Sequence, residues 1–262
     1  MKYLKKYFIF IIILIKMKKI ILSRPKSLNN VVFSYCPGCG HGIIHRLVSE
    51  CIDELSIREK TIAVTPVGCA VFGYDYFNFD VTEAPHGRPP AVATGIKRTN
   101  PDKFVFTYQG DGDISAIGIA ETIHAANRSE NISIIFVNNT VYGMTGGQMA
   151  PTTLAGQITA TTPFGRNLKN EGFPIKLCEL LSVLDGTVYL ERVAIHNPKN
   201  IINAKKAIKR AFQCQIDQKG FSLIEIVSNC PVNWNMSPVD SMKWIEDKLI
   251  KTFPLKIFKD KI

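Results

Sequence analysis

Two short polar motifs in the middle of the chain each follow an apolar run. Gly110-Asp111-Gly112 comes after residues 104–108, and Asn138-Asn139 comes after residues 132–137. A carboxylate and an amide oxygen suit Mg²⁺, which proteins usually hold through few side chains together with the oxygens of a bound phosphate. Glycine allows the backbone to come close to a ligand. The two motifs therefore predict a site for a metal-bound diphosphate.

The segment between these motifs has the pattern of a helix that connects two parallel strands. Its apolar residues recur at helical spacing: Ile114, Ile117, Ile119, Ala120, Ile123 and Ala126. A strand–helix–strand crossover brings the carboxyl ends of both strands to one edge of a sheet, where ligands bind in open α/β proteins. The start of the helix also offers free N–H groups to an anion. We predict a strand, a turn, a helix over residues 114–128 and a second strand.

Two other interpretations of these residues compete with the diphosphate site. A dinucleotide-binding fingerprint, Gly-x-Gly-x-x-Gly, would need a third glycine at position 115, which is Ser115. Asp111 and Asp113 would also repel a bare pyrophosphate, whereas a metal ion makes Asp111 attractive to it. A plain loop is the remaining alternative, since Asp and Gly are common in turns.

The cysteines form a second group of residues that could do chemistry. Cys36 and Cys39 form a C-x-x-C pair, which on its own fits a redox pair, half of a zinc site or half of an iron–sulfur site. The sequence has no second C-x-x-C, as a zinc ribbon would; Cys69 and Cys230 instead follow apolar runs. Pro231 after Cys230 matches a ligand pattern of bacterial ferredoxins.

The remaining cysteines and two histidines have simpler interpretations. Cys51, Cys178 and Cys214 lie in helix patterns, which predicts core positions. His41 and His45 are four residues apart, as helical metal ligands are, but the glutamate of H-E-x-x-H is missing. We predict that one histidine starts a helix and that the other is packed.

Together the motifs resemble the β subunits of the 2-oxoacid:ferredoxin oxidoreductases. The resemblance covers roughly residues 30–258 and rests on four motifs: Tyr35-Cys-Pro-Gly-Cys-Gly-His41, His86-Gly-Arg88, Gly110-Asp111-Gly112 with Asn138-Asn139, and Tyr142-Gly-Met-Thr-Gly-Gly-Gln148. It implies three cofactors, namely thiamine diphosphate, Mg²⁺ and a [4Fe–4S] cluster, with the cluster near the diphosphate at one sheet edge.

The resemblance also implies roles for individual residues. The cluster ligands would be Cys36, Cys39, Cys69 and Cys230. The Mg²⁺ ligands would be Asp111, Asn139 and the carbonyl of Val141. The residues along thiamine diphosphate would be Val67, Gly68, Cys69, Ala70, His86, Gly110, Asp111, Gly112, Asp113, Gly143 and Met144. His86 is also the candidate catalytic side chain, whereas Arg88 would hold a substrate carboxylate or simply cap and pair.

The implied reaction is the thiamine-dependent oxidative decarboxylation of a 2-oxoacid with coenzyme A. It gives an acyl-CoA and CO₂, and electrons pass through the cluster to ferredoxin. Thiamine enzymes also use a glutamate from a pyrimidine-binding domain, for which this chain has no room. We therefore expect a partner α subunit to carry that domain and much of the substrate pocket.

The substrate is less well determined by the resemblance. The loop 144–147 resembles enzymes for 2-oxoglutarate and for branched-chain 2-oxoacids, and it lacks a lysine that some relatives carry near Gly146 or Phe72. We favour 2-oxoglutarate, followed by 2-oxoisovalerate, pyruvate and indolepyruvate. A non-redox thiamine decarboxylase or ligase, which needs no cluster, and a zinc-stapled binding module stay open as other classes.

The net charge of +10 is concentrated near the start of the chain. Residues 1–26 hold eight lysines and arginines and no acidic residue, so the sequence does not predict nucleic-acid binding. The apolar run 7–15 is too short to span a bilayer and is not followed by the small-residue cleavage site of a signal peptide. We predict that residues 1–26 are an extension outside the fold and that the chain does not bind a membrane.

The cysteine usage and the order of the elements complete the sequence prediction. Seven unevenly spaced cysteines do not suggest a disulfide framework, which favours the reducing cytoplasm. Helix and strand patterns alternate after residue 166 (helix 175–183, strand 187–195, helix 200–216, strand 221–227, helix 240–252). This alternation predicts an α/β fold with a doubly wound, mostly parallel sheet. By resemblance, residues 27–262 would be the diphosphate-binding half of a thiamine-diphosphate-binding fold.

Overall fold

The computed structural model describes residues 22–262, and a seven-stranded sheet lies at its centre. Its strands stand in the order β2-β1-β3-β4-β8-β7-β9, and every neighbouring pair is parallel except β7 and β9. A separate two-stranded hairpin consists of β5 and β6. The strands are β1 (Thr61–Thr65), β2 (Asp80–Glu83), β3 (Phe104–Gly110), β4 (Ser133–Asn138), β5 (Val141–Tyr142), β6 (Gln148–Met149), β7 (Thr187–Ala194), β8 (Phe221–Val227) and β9 (Lys256–Asp260).

The helices connect these strands in the described part of the chain. They are α1 (His41–Glu54), α2 (Gly73–Tyr76), α3 (Pro89–Thr99), α4 (Ile119–Asn127), α5 (Leu168–Glu171), α6 (Leu177–Ser182), α7 (Pro198–Ile216), α8 (Pro238–Trp244) and α9 (Ile250–Thr252). Two π-helical turns, Asp113–Ile117 and Ile245–Leu249, precede α4 and α9.

Both faces of the sheet are covered, which explains why its central strands are apolar throughout. On one face, Phe106 and Ile224 pack with buried residues of α1 and α7, such as Ile44 and Phe212. On the other face, residues of β3, β4 and β8 pack against α3, α4 and α6. All residues of β4 and β8 are buried, so these strands form the middle of the core.

The pairing of β3 with β4 determines where the two polar motifs lie. Gly110 at the end of β3 is in register with Val137 near the end of β4. The chain leaves the sheet at Asp111 on one strand and at Asn139 on the next. Both motifs therefore leave the carboxyl edge of the sheet side by side, as parallel pairing requires.

The predicted α/β fold with a doubly wound, mostly parallel sheet is confirmed, with corrections in detail. The helix predicted over 114–128 is interrupted at Gly118, which separates a π-helical turn from α4. The helix predicted over 175–183 is shorter and corresponds to α6. That predicted over 200–216 begins two residues earlier, because Asn197 caps it by accepting a hydrogen bond from the Asn200 N–H. The short strands β2, β5 and β6 and the edge strand β9 were not predicted.

The structure describes only the last residues of the predicted N-terminal extension, 22–26. Residues 1–21 of the predicted extension lie outside the described residues, and the division at residue 26 stays a prediction. Pro25 and Ser27 are buried, and the backbone N–H groups of Lys26 and Ser27 donate to the Asp53 carboxylate on α1. Within residues 22–262, no helix has both the length and the apolar character needed to cross a membrane.

Candidate functional site

A cavity of about 140 Å³ lies at the carboxyl ends of β1, β3 and β4. It is lined by the predicted cofactor-binding residues Val67, Gly68, Cys69, Ala70, His86, Gly110, Asp111, Gly112, Asp113, Gly143 and Met144, and by the predicted metal ligands Asn139 and Val141. A larger cavity, of about 550 Å³, lies between residues 22–26, α1 and Lys205. It contains none of the predicted site residues, so the smaller cavity is the candidate site.

The Asp111 carboxylate is the main charged group facing this cavity. It is 2% exposed, and it accepts hydrogen bonds from the Gly112 N–H at 2.9 Å and the Thr152 hydroxyl at 2.7 Å. Burial raises the pKa of Asp111 to about 7, although these hydrogen bonds oppose the shift. No lysine or arginine within residues 22–262 forms an ion pair with it. A buried carboxylate without a cationic side chain fits the predicted Mg²⁺ site.

The loop after β4 supplies the other predicted ligands of the metal. The side-chain oxygen of Asn139 accepts a hydrogen bond from the Val141 N–H at 3.3 Å, and the Asn139 carbonyl accepts one from the Trp234 indole N–H at 3.1 Å. The hairpin β5–β6 then folds over Gly112. A Cβ atom at that glycine would stand 2.2 Å from the Tyr142 ring, so the close approach of these two loops requires glycine there.

His86 and Arg88 lie on the loop between β2 and α3. His86 lines the cavity, and its Nδ1 lies 2.5 Å from an oxygen of Asp113. Arg88 forms an ion pair with Glu121 on α4. Its cationic group is therefore already engaged, which favours a pairing role for Arg88 over direct contact with a substrate.

The cysteines of the predicted cluster come together beside the same cavity. The position that a Cβ atom would take at Gly143 lies 3.0 Å from the Cys69 sulfur and 3.6 Å from the Cys230 sulfur. The Cys36–Cys39 turn is tied to the loop of Cys230, because the Asn229 amide donates to the Gly38 carbonyl at 2.9 Å. The Asn233 amide donates to the Cys230 sulfur at 3.2 Å and to the Gly143 carbonyl at 2.8 Å.

The electrostatics of these thiols favour a bound cation. Burial is the main cause that raises the pKa of Cys39 to about 11 and of Cys69 to about 12, and the neighbouring cysteines add to both shifts. Burial also raises the pKa of Cys230, against the hydrogen bond from Asn233. Several thiolates this close together need positive charge, which iron ions would supply.

The described residues contain no group of three or more His, Cys, Asp or Glu side chains drawn together tightly enough to hold a single metal ion. A four-iron cluster is larger than one ion, so its ligands stand further apart. The gathered thiols and the space left by Gly143 fit such a cluster.

Several residues of the site were not predicted from the sequence. His41, Pro66, Tyr142 and Thr145 also line the cavity. Thr152, which is fully buried and donates its hydroxyl hydrogen bond to Asp111, lies in the segment 151–166, which is rich in Thr, Gly and Pro. The tip of that loop is exposed at Phe164. Tyr142 and Thr145 belong to the glycine-rich motif, which could have suggested them, whereas Thr152 has no local signal.

The predicted core and packed residues lie where expected. Cys51, Cys178 and Cys214 are fully buried. His41 is the first residue of α1 and His45 is buried one turn later.

Comparisons with known proteins identify the family. The family described as "Thiamine pyrophosphate enzyme, C-terminal TPP binding domain" matches residues 67–226. The ketoisovalerate oxidoreductase subunit VorA of Methanothermobacter thermautotrophicus is 47% identical over 94% of this chain. The 2-oxoglutarate synthase subunit KorB of Methanocaldococcus jannaschii is 37% identical over 82% of this chain and 78% of its own length. The chain belongs to the β-type subunits of the 2-oxoacid:ferredoxin oxidoreductases.

A solved structure supports this membership in the family at the level of the fold. The 2-oxoglutarate:ferredoxin oxidoreductase from Magnetococcus marinus, with 2-oxoglutarate, coenzyme A and succinyl-CoA bound, matches with a TM-score of 0.74 and 29% identity. The match covers 88% of this chain and 75% of that chain. By contrast, this chain spans about half of the ketoisovalerate relative, 54% of its length. The thiamine-pyrophosphate-binding domain is thus shared, and the relative has further sequence beyond it.

Proposed function

We propose that this chain is the cofactor-binding subunit of an oxidoreductase that decarboxylates a 2-oxoacid and transfers the acyl group to coenzyme A. The observation that carries the proposal is one cavity bordered by two ligand sets. Asp111 and Asn139 lie on one side, and Cys69, with Cys230 behind it, lies on the other. One set suits a magnesium-bound diphosphate and the other an iron–sulfur cluster.

In this proposal, Asp111, Asn139 and the Val141 carbonyl hold Mg²⁺, and the turn at Gly110–Gly112 lies along the diphosphate. When bound, thiamine diphosphate supplies the nucleophile and the electron sink that decarboxylation of a 2-oxoacid requires. The chain itself orients the diphosphate end. The Thr152 hydroxyl and the Gly112 N–H fix the direction of the Asp111 carboxylate before the metal arrives.

Cys36, Cys39, Cys69 and Cys230 would hold the [4Fe–4S] cluster, which makes the redox class more favourable than a non-redox thiamine enzyme. The Cys230 thiol is buried and that of Cys69 is half-buried, and both lie beside Gly143. Cys36 is exposed. One side of the proposed cluster would therefore reach the protein surface, where ferredoxin could approach.

The favoured substrate is a branched-chain 2-oxoacid such as 2-oxoisovalerate. Within residues 22–262, no lysine or arginine lines the cavity, and Val67, Ala70 and Met144 contribute apolar surface. Arg88 is paired with Glu121, so it would not hold the second carboxylate of 2-oxoglutarate. The ketoisovalerate relative is also more similar to this chain, at 47% against 37% identity. 2-Oxoglutarate, which the sequence favoured, stays the second candidate, with a cation supplied by the partner subunit.

The test is anaerobic co-purification of the chain with its partner subunit, followed by thiamine, magnesium and iron analysis. The complex is then assayed with a panel of 2-oxoacids, coenzyme A and a viologen dye. We expect turnover with 2-oxoisovalerate to exceed that with 2-oxoglutarate. The matched variant Asp111→Asn should lose thiamine diphosphate and turnover while it keeps its iron.

Two results would contradict the proposal. Zinc in place of iron, with no thiamine bound, would indicate a zinc-stapled module. Thiamine-dependent decarboxylation without iron and without dye reduction would indicate a non-redox enzyme.

A further inference from the structure

A chain of buried polar side chains runs from the interior of β3 to His86. Thr107 and Gln109 lie on the same face of β3 as Val105, and both are fully buried. A buried parallel strand normally carries apolar residues at such positions. The Thr107 hydroxyl donates to Gln109 Oε1 at 2.8 Å, and the Gln109 side-chain amide donates to Asp113 Oδ2 at 2.6 Å. The other oxygen of Asp113 faces His86.

Within this hydrogen-bonded network, each group fixes whether the next one donates or accepts. The carboxylate of Asp113 can only accept, so His86 donates from Nδ1 at 2.5 Å. The Gly87 N–H donates to the same oxygen at 2.7 Å. Asp113 is 3% exposed, and both of its oxygens are used by protein groups. Although it lines the cavity, its hydrogen bonds are directed at His86, Gly87 and Gln109 and not at a ligand.

The loop that carries His86 is also fixed by close packing. Gly87 has a φ of +77°, and a Cβ atom there would stand 2.7 Å from the Gly118 nitrogen and 2.8 Å from the Ile117 carbonyl carbon. No larger residue fits at position 87. The imidazole next to it is consequently held at one place on the rim of the cavity.

The nitrogen of His86 that remains open to a ligand is Nε2. Among residues 22–262, the one hydrogen bond of the His86 ring is that of Nδ1 with Asp113. About a third of the side chain is exposed, at 35%, and the ring lines the cavity. In the neutral imidazole, a proton on Nδ1 leaves a lone pair on Nε2, which can accept a hydrogen bond.

We propose that Asp113, supported by Gln109 and Thr107, is a positioning residue that holds His86 with Nε2 free to accept a hydrogen bond from the cofactor or substrate. The inference rests on the proposed function, and it assigns the contact with the ligand to His86 alone. Burying three polar side chains costs free energy unless each is hydrogen-bonded. The network meets that requirement and ends at a single exposed acceptor.

The first test uses the reactivity of His86 and needs no turnover. The complex with the partner subunit is treated with diethyl pyrocarbonate, and carbethoxylation of His86 is measured by mass spectrometry relative to the exposed His124. Asp113→Asn keeps the shape and an acceptor for the Gly87 N–H, but removes the charge from the hydrogen bond with Nδ1. Charge-assisted hydrogen bonds are about twice as strong as neutral ones, so His86 should be held less firmly in the variant. We therefore expect the rate of carbethoxylation of His86, relative to that of His124, to fall several-fold.

The matched control is Asp53→Asn. Asp53 also accepts hydrogen bonds from backbone N–H groups and a side chain, Ser27, but lies on α1 away from the cavity. It should leave the His86 rate unchanged. Thiamine diphosphate with Mg²⁺ should protect His86 in the wild-type complex. An equal His86 rate in Asp113→Asn and wild type would overturn the proposal.

The second test is a double-mutant cycle in the assay of 2-oxoacid oxidation. His86→Ala should lower kcat about 10²-fold, as the loss of a proton-accepting side chain typically does, and Asp113→Asn about tenfold. If Asp113 acts through His86, the double variant is no slower than His86→Ala and binds thiamine diphosphate no more weakly than His86→Ala does. Losses that multiply in the double variant would show that Asp113 acts independently.

If Asp113→Asn lowers the midpoint of thermal unfolding of the complex, Gln109→Met is used instead to compare His86 reactivity with that of the wild type. It removes the bond to Asp113 Oδ2 and the one that Gln109 accepts from Thr107, but leaves the contact of Asp113 with His86 in place. A smaller fall in His86 reactivity is therefore expected, and no fall would count against the proposal. A complex without thiamine would instead refute the proposed function. The two failures are therefore distinguishable.

Discussion

At the scale of single residues, both proposed cofactor sites bury ligands that are costly without a cation. Asp111 is almost fully buried and its pKa is raised, and the thiols of Cys39 and Cys69 are shifted in the same direction. A shifted pKa of this kind means that the folded chain disfavours the charged form. A bound metal ion would reverse that preference, as both proposed sites require.

Gly143 provides a residue-scale prediction for the cluster. A methyl group at this position would lie 3.0 Å from the Cys69 sulfur and 3.6 Å from the Cys230 sulfur. Overpacking of this kind typically costs about 1–3 kcal/mol. In Gly143→Ala we therefore expect the iron content of the purified complex to fall, together with its broad absorbance near 400 nm, while the protein stays folded.

The control for this prediction is Gly95→Ala. Gly95 lies in α3, and a Cβ atom there would meet no atom within 4 Å, so iron and absorbance should equal those of the wild type. Full iron occupancy in Gly143→Ala would show that the cluster does not use the space beside this glycine.

At the scale of elements, α1 places two histidines one turn apart against β3. The His41 Nδ1 lies 2.8 Å from the Tyr108 hydroxyl, and the His45 ring stacks on the Tyr108 ring at 4.7 Å. The Tyr35 hydroxyl lies 2.7 Å from His45 Nε2, and Tyr76 contacts His45 edge-on. The groups that face His45 are thus aromatic rings and one imidazole, and no acidic residue is among these contacts.

This packing predicts a loss of stability in acid. Burial, and secondarily His41, lowers the pKa of His45 well below its usual value. As pH falls below about 6.5, the unfolded chain binds a proton that the folded chain does not, so the free energy of unfolding falls by up to about 1.4 kcal/mol per pH unit for this histidine. His45→Phe should keep the stacking on Tyr108 and make that slope shallower by about this amount between pH 6.5 and 5.

Urea unfolding of the chain at several pH values measures the slope. Phe77→Leu is the matched control, because Phe77 packs 4.6 Å from the His45 ring and does not titrate. It should lower stability equally at every pH. Identical slopes for wild type and His45→Phe would mean that His45 does not cause the acid sensitivity.

The same elements show how far the sequence predicts this structure. β8 has the predicted bounds, because its seven residues are all buried and form one continuous, mostly apolar run in the middle of the sheet. β9 was missed because it is a short edge strand with lysines and an aspartate, and its pairing with β7 depends on tertiary packing. Residues within the motifs, such as Asp111 and Asn139, were predicted from spacing. Gln109 was not predicted, since its role depends on a hydrogen bond to Asp113 that only the folded structure shows.

At the scale of the whole molecule, the candidate site looks incomplete in this chain alone. The cavity of about 140 Å³ is smaller than the roughly 300–1,000 Å³ of pockets that enclose a drug-sized ligand. Apolar side chains at or near its rim are partly exposed: Val67 40%, Met144 49% and Ile117 49%. This chain would therefore enclose only the diphosphate end of thiamine diphosphate, and a second subunit would cover the rest.

Ile117 tests that arrangement, because it lies at the carboxyl edge of the sheet as the last residue of the turn that Asp113 begins. We expect the isolated chain to show no 2-oxoacid oxidation and the partner subunit to restore it on mixing. Ile117→Glu should weaken association at least tenfold, because a charge at the centre of an interface loses its water. Val183→Glu changes another exposed apolar residue, 77% exposed at the opposite edge of the sheet, and should not affect association. Analytical ultracentrifugation of the mixtures gives both values. Full activity of the chain by itself would show that it needs no second subunit to complete the site. Equal association of the two variants would show that the partner does not cover the rim at Ile117.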